Sequence, residues 1–141
     1  MRSPAIIALL LALLLPCSLR AEGLLIVANA QVPVNSITPG ELASIYLIRK
    51  NTWADGLPVV PVNRDAASNL RERFSEKVLE HSPRELTDYW NRIRFEGRIP
   101  PLVQMSDQAV IGFVRNVPGA IGYVGADQTP PVGVKVLARI P

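Results

Sequence analysis

The chain has 141 residues, 15 basic and 12 acidic side chains, a formal net charge of +3 and one cysteine. This length suits one domain and excludes two complete lobes, and the low net charge does not indicate binding to nucleic acid. With one cysteine the domain has no internal disulfide, so a hydrophobic core must stabilise it.

The first 21 residues have the pattern of a secretory signal peptide. Arg2 precedes an apolar run over residues 6–15, which Pro16 closes. The run is shorter than the roughly 20 residues of a membrane-spanning helix. We expect cleavage after Ala21. The remaining single domain, residues 22–141, would then have 13 basic and 12 acidic side chains, lie in the periplasm and not span the membrane.

The first half of this domain alternates strand and helix patterns. Residues 24–28 form a compact apolar run that suits a buried strand. A capping box at residues 38–41 predicts a helix that continues to about residue 48. The turn signal at residues 55–56 precedes a second strand at residues 57–62.

The second half continues the alternation. A helix with an apolar face begins near Ala67, and Ser82 and Ser106 are predicted N-caps of two further helices. Residues 120–124 and 132–137 have the composition of strands. The sequence therefore predicts an α/β domain, in which about four helices cover a small mixed sheet of about four strands.

Residues suited to catalysis are sparse. The single histidine, His81, follows a predicted helix and has no recognisable Ser or Asp partner, so interaction with the helix dipole is the favoured interpretation. No spacing indicates a metal site, and no glycine-rich nucleotide fingerprint opens a helix. We predict no enzymatic activity and no cofactor.

The best candidate site is the segment that joins the second strand to the next helix. Arg64 follows the strand, and Ser68 lies where the first free amides of a helix favour an anion. An arginine there can contact phosphate or carboxylate through two N–H groups. The alternative is that Ser68 or Asp65 only caps the helix, while Arg64 pairs with an acid such as Asp65 or Glu72.

Other basic and aromatic residues are predicted to be structural. The arginines from residue 71 to residue 98 alternate with glutamates and favour solvated helix faces over a continuous basic patch. Trp53, Tyr89 and Trp90 are expected to fill the core rather than to stack on a ligand.

Three segments resemble the periplasmic phosphate-binding proteins of ABC transporters. They are residues 44–53, the turn at Arg64 and the most specific motif, FVRNVPGAIGYV at residues 113–124, in the same order as in that family. The resemblance implies the fold of one lobe of a type II periplasmic binding protein. Because the arginine, the serine and the following amides hold phosphate in that family, it also implies a phosphate-like oxyanion at Arg64, Ser68 and Asn69.

The turn also departs from the family pattern. Ala67 and Asn69 stand where glycines are expected, Leu70 replaces a threonine, and the chain matches only one of two lobes. Two hypotheses follow. The protein is an exported domain that binds phosphate or a similar oxyanion for ABC-type transport, or it is an interaction or sensory module that has lost tight ligand binding and docks on a membrane transporter or sensor.

Overall fold

The computed structural model describes residues 23–141, so the predicted signal peptide lies outside the described residues. None of the helices in this part of the chain is long and apolar enough to cross a bilayer. The elements are β1 (Leu24–Asn29), α1 (Pro39–Tyr46), β2 (Val60–Arg64), α2 (Asn69–Phe74), which a π-helical turn (Ser75–Leu79) continues, α3 (Pro83–Phe95), β3 (Leu102–Gln104), α4 (Asp107–Asn116), β4 (Ala120–Gly125) and β5 (Val134–Ile140).

The strands form one mixed sheet in the order β3-β2-β4-β1-β5. β2 is parallel to β3 and β4, whereas β1 is antiparallel to β4 and β5. The α/β prediction is confirmed, but the sheet has five strands instead of about four. The unpredicted strand, β3, has three residues and follows two prolines, so it is too short to show an alternating pattern.

Helices cover both faces of the sheet. Ile26 of β1 packs in a cluster with residues of α1, the π-helical turn and α3, whereas its neighbours Leu25 and Val27 pack against α4 on the other face. All residues of β1 and β4 are buried for this reason. Trp53 and Trp90 are also buried, as the sequence predicted.

The predicted N-caps begin the helices. The hydroxyls of Thr38, Ser82 and Ser106 accept hydrogen bonds of 3.1 to 3.3 Å from the backbone amides three residues further on. Each such cap stabilises its helix by about 1 kcal/mol. Ser106 is important for the site, because it fixes the start of α4 beside the end of β3.

Gly119 connects the beginning of β4 to the loop before β2. Its φ is 81°, and a Cβ at this position would lie 2.0 Å from the Pro58 carbonyl oxygen, so only glycine fits. Its own carbonyl accepts hydrogen bonds from Trp53 Nε1 and from the Val60 amide, each at 3.0 Å. These contacts align β2 with β4 and thereby position the end of β2, where Arg64 lies.

Candidate functional site

The candidate site lies where the three parallel strands end. Arg64 ends β2 and pairs in register with Gln104 at the end of β3, while Gly125 ends β4. The helices α2 and α4 begin just after this edge. In open α/β sheets, ligands bind outside the carboxyl ends of such strands.

Arg64 is buried, with 9% of its surface exposed. Its Nη1 donates to Asp107 Oδ1 at 2.5 Å, and its buried Nε has no hydrogen-bond acceptor. The nearest Asp65 oxygen lies 4.0 Å from Nε. Of the two acids suggested from sequence, Asp65 does pair with Arg64, at the limit of ion-pair distance. The closer partner is Asp107, which the sequence did not suggest.

The backbone around Arg64 is held by a buried network. The Arg64 amide donates to Asn63 Oδ1 at 2.9 Å and to the Tyr123 hydroxyl at 3.3 Å, and the Tyr123 hydroxyl in turn donates to Asn63 Oδ1. The Arg64 carbonyl accepts from Arg71 Nη1 at 2.9 Å. Tyr123 stacks on Phe74, with ring centres 4.2 Å apart. These contacts hold the Arg64 backbone in place, and with it the position from which the guanidinium extends.

Burial raises the pKa of the Tyr123 phenol well above its ordinary value. The hydroxyl therefore remains a hydrogen-bond donor at neutral pH.

Ser68 is the N-cap of α2 and accepts a hydrogen bond of 3.2 Å from the Leu70 amide. Ser68 therefore caps α2, and its hydroxyl keeps a hydrogen that it can donate. Asn69 is the exposed first residue of α2. The structure brings Arg64 and Ser68 to one turn, and Asn69 follows on its solvent side.

Sequence reasoning missed two carboxylates at this edge. A Cβ on Gly125 would lie 2.7 Å from Asp127 Oδ1 and 3.4 Å from Asp107 Oδ2, so both side chains converge above the end of β4. Within the described part of the chain, they do not belong to any cluster of three or more groups that could hold a metal. Together with Asp65, they give the surroundings of Arg64 a negative charge.

A shallow groove of about 830 Å³ runs beside the turn, between α2 with its π-helical continuation and α3. Trp90 and Leu86 form its apolar side, and Arg71 faces it from α2. His81 also lines the groove and contacts Glu85 Oε2 through Nδ1 at 2.8 Å. This hydrogen bond lowers the pKa of the exposed Glu85.

Comparison of the chain with known proteins identifies its family. A model of the PBP superfamily domain matches residues 20–138. No curated protein matches the chain by sequence.

Among the solved structures that share the fold are three phosphate-transport or phosphate-binding proteins. One, from Clostridium perfringens, is assigned as a phosphate ABC transporter substrate-binding protein and contains bound phosphate; it is 20% identical with a TM-score of 0.67, over 82% of this chain and 44% of that one. The phosphate transport receptor of Vibrio cholerae is 22% identical with a TM-score of 0.65, over 82% and 45% of the two chains. PstS from Borrelia burgdorferi is 19% identical, also with a TM-score of 0.65, over 83% and 47%.

The present chain spans less than half of each of these structures. At such identities the likeness concerns the fold, and the matched portion amounts to a single lobe. The chain therefore belongs to the PBP superfamily, and it has the fold of one lobe of the phosphate-transport substrate-binding proteins.

Proposed function

We propose that the protein is an exported, periplasmic solute-binding domain that holds a phosphate-like oxyanion on Arg64, next to Ser68 and the first amides of α2. The observation that carries the proposal is the buried Nε of Arg64, which has no acceptor at the carboxyl end of β2. A buried donor without a partner is costly, and an oxyanion oxygen would supply the missing acceptor.

The surrounding carboxylates favour a ligand that carries a proton. Asp107 contacts the Arg64 guanidinium and lies close to Asp127, so a fully ionised anion would meet like charges. A hydrogen phosphate can donate its proton to one of these carboxylates, whereas sulfate has no proton to donate at neutral pH. We therefore expect phosphate to bind more tightly than sulfate.

The affinity should be modest. Arg64 lies at one edge of a single lobe, and the groove beside it is shallow and open to water, which weakens charge contacts. We expect a Kd for phosphate between about 10 μM and 1 mM. A second molecule or an ABC-type transporter that covered this edge would raise the affinity for phosphate. The transporter would also receive the ligand.

Isothermal titration of the processed protein with phosphate and with sulfate, at low ionic strength, tests the proposal. Arg64→Ala should abolish the phosphate heat, because it removes the donors that hold the anion. Arg139→Ala is the matched control, since Arg139 is an exposed arginine on β5. Circular dichroism should show that both variants are folded, and equal phosphate binding by folded Arg64→Ala would refute the proposal.

A second candidate function is supported by the pairing of Arg64 with Asp107. Because an internal carboxylate already holds Nη1, the arginine can serve as a structural link between β2 and α4. The protein would then be an interaction or sensory module that docks on a membrane transporter or sensor. A wild-type titration without heat up to about 1 mM phosphate selects this candidate.

A further inference from the structure

Exposed apolar side chains are concentrated in one segment of the described chain. Five of the seven large hydrophobic residues with exposed side chains lie between residues 95 and 105. They are Phe95, Ile99, Leu102, Val103 and Met105, of which Phe95 is 95%, Ile99 78% and Met105 72% exposed. We call this segment the 95–105 surface. Apolar exposure this concentrated is typical of an interaction surface.

The backbone of the 95–105 surface is well fixed. Gly97, with a φ of 81°, ends α3, and its amide donates to the Arg94 carbonyl at 2.9 Å. The Arg98 amide donates to the Ile93 carbonyl at 2.9 Å, which completes a Schellman cap. Phe95 and Ile99 therefore flank an ordered turn in the chain. β3, at the edge of the sheet, follows directly.

Basic side chains at the ends of α1 and α3 lie next to part of this surface. Arg98 Nη1 donates to the Ile48 carbonyl at 3.3 Å and so joins the segment to the end of α1. Lys50 lines a small groove of about 240 Å³ together with Ile99 and Leu102.

The basic residues also continue onto the neighbouring helix surface. The guanidinium carbons of Arg49 and Arg92 lie 5.9 and 5.2 Å from the centre of the Tyr89 ring. Arg94 is exposed and precedes Phe95. These basic side chains form a positively charged border beside the 95–105 surface, in which Arg98 is paired with Glu96 at 2.8 Å.

This border differs in sign from the rest of the described domain. Residues 23–141 contain thirteen basic and eleven acidic side chains. Five of the basic residues, namely Arg49, Lys50, Arg92, Arg94 and Arg98, lie at this end with one acid, Glu96. Eight basic and ten acidic residues remain elsewhere. The charge distribution is complementary to an anionic surface.

We propose that the 95–105 surface docks on an anionic lipid bilayer. The nearly complete exposure of Phe95 and Ile99 means that they stand out from the protein, as side chains do that enter the headgroup region of a membrane. Arg49, Arg92, Arg94 and Lys50 would contact lipid phosphates, which attract basic groups near a bilayer. A protein partner is less favoured, because the adjoining groove is too small to receive more than a side chain or two.

The test measures cosedimentation with vesicles. The protein is purified in its processed form after export, with its N terminus defined by mass spectrometry, because an uncleaved apolar leader could bind lipid by itself. One set of vesicles contains phosphatidylethanolamine with about 30% phosphatidylglycerol, and the other contains only neutral phosphatidylcholine. We expect binding to the anionic vesicles alone, weakened by added salt.

Variants at exposed positions locate the contact without disturbing the core. Phe95→Ser combined with Ile99→Ser should lower the partition coefficient by about tenfold or more, and Arg94→Glu should lower it by about tenfold. Val132→Ser is the matched control, since Val132 is 93% exposed and precedes β5 at the opposite edge of the sheet, and it should leave the partition coefficient unchanged.

Several outcomes would overturn the proposal. They are no binding to anionic vesicles, equal binding to neutral vesicles, or unchanged binding by the Phe95→Ser, Ile99→Ser variant. Inorganic phosphate at about 1 mM, added at constant ionic strength, should not displace the protein. Displacement by phosphate would mean that lipid headgroups are held at Arg64 and that the 95–105 surface is not the contact. Because the proposal does not depend on oxyanion binding, either one can fail without the other.

Discussion

Asp107 is in direct contact with the Arg64 guanidinium. Its Oδ1 holds Arg64 Nη1, and its Oδ2 faces the end of β4 near Asp127. The same carboxylate can thus compete with an anion for the guanidinium and accept a proton from an anion that has one. These two roles can be separated, because an amide at this position removes the charge but keeps the shape.

Asp107→Asn should therefore narrow the difference in binding affinity between phosphate and sulfate. Removing one negative charge beside the anion should raise the affinity for sulfate about tenfold. Phosphate gains less, because its proton then meets the weaker, neutral acceptor of an amide instead of a carboxylate. Titration of the wild type and of this variant with both anions gives the ratio. If the ratio of the two affinities does not change, Asp107 does not face the ligand. Asp88→Asn, at an exposed position on α3, is the control.

At the scale of elements, the two helices α1 and α3 end in the same way but with different residues. In α1 the Arg49 amide donates to the Ser44 carbonyl and the Ile48 amide to the Ile45 carbonyl, which is the same Schellman pattern that ends α3. The left-handed position is occupied by Ile48, with a φ of 58°, in α1 and by Gly97 in α3. A β-branched residue in this conformation is strained.

Substitutions at these two positions should reveal the strain. Ile48→Gly and Ile48→Ala remove the same packing, but only glycine relieves the left-handed backbone, so the glycine variant should be about 1 kcal/mol more stable toward urea unfolding. Gly97→Ala should lose about 1 kcal/mol, because a Cβ there meets no atom within 4 Å and the cost is conformational. An alanine variant of Ile48 as stable as the glycine variant would contradict this explanation.

The sequence predicted elements well where local chemistry determines them. Thr38, Ser82 and Ser106 begin helices because their hydroxyls satisfy nearby amides, and such capping signals are local. β3 escaped prediction because three residues show no periodicity and their pairing with β2 is long-range. The partner of Arg64 was missed for the same reason: Asp107 lies 43 residues further on, and only the sheet brings it close.

The whole molecule has two ends of different chemistry. The carboxyl ends of the parallel strands carry Arg64 among aspartates, whereas the ends of α1 and α3 carry five basic side chains together with the exposed Phe95 and Ile99. If the second end rests on a membrane, the first is free to meet a ligand or a transporter. Such a division would give a single lobe a role that does not require a second lobe.

Between the two ends, the sheet and the helices bury two phenols in one aromatic cluster, and this gives the stability of the whole domain a defined pH dependence. Tyr46 donates to the Val62 carbonyl at 2.8 Å and packs on Phe74, which stacks on Tyr123. Burial raises the pKa of Tyr46 and of Tyr123 in the folded protein, whereas in the unfolded chain both ionise near pH 10. The folded state therefore keeps its full stability below about pH 10, where both phenols are protonated in both states. Above about pH 10 the free energy of unfolding falls, because the unfolded chain releases protons that the folded state keeps.

We expect the free energy of unfolding to fall by up to about 1.4 kcal/mol per pH unit for each of these tyrosines above about pH 10. Urea unfolding at a series of alkaline pH values measures the slope. Tyr46→Phe should reduce it by about half, even though that variant also loses the hydrogen bond to Val62 and begins from a lower stability. A stability that does not change across this range, or an equal slope in the variant, would mean that the buried phenols are not responsible for the alkaline limit of the fold.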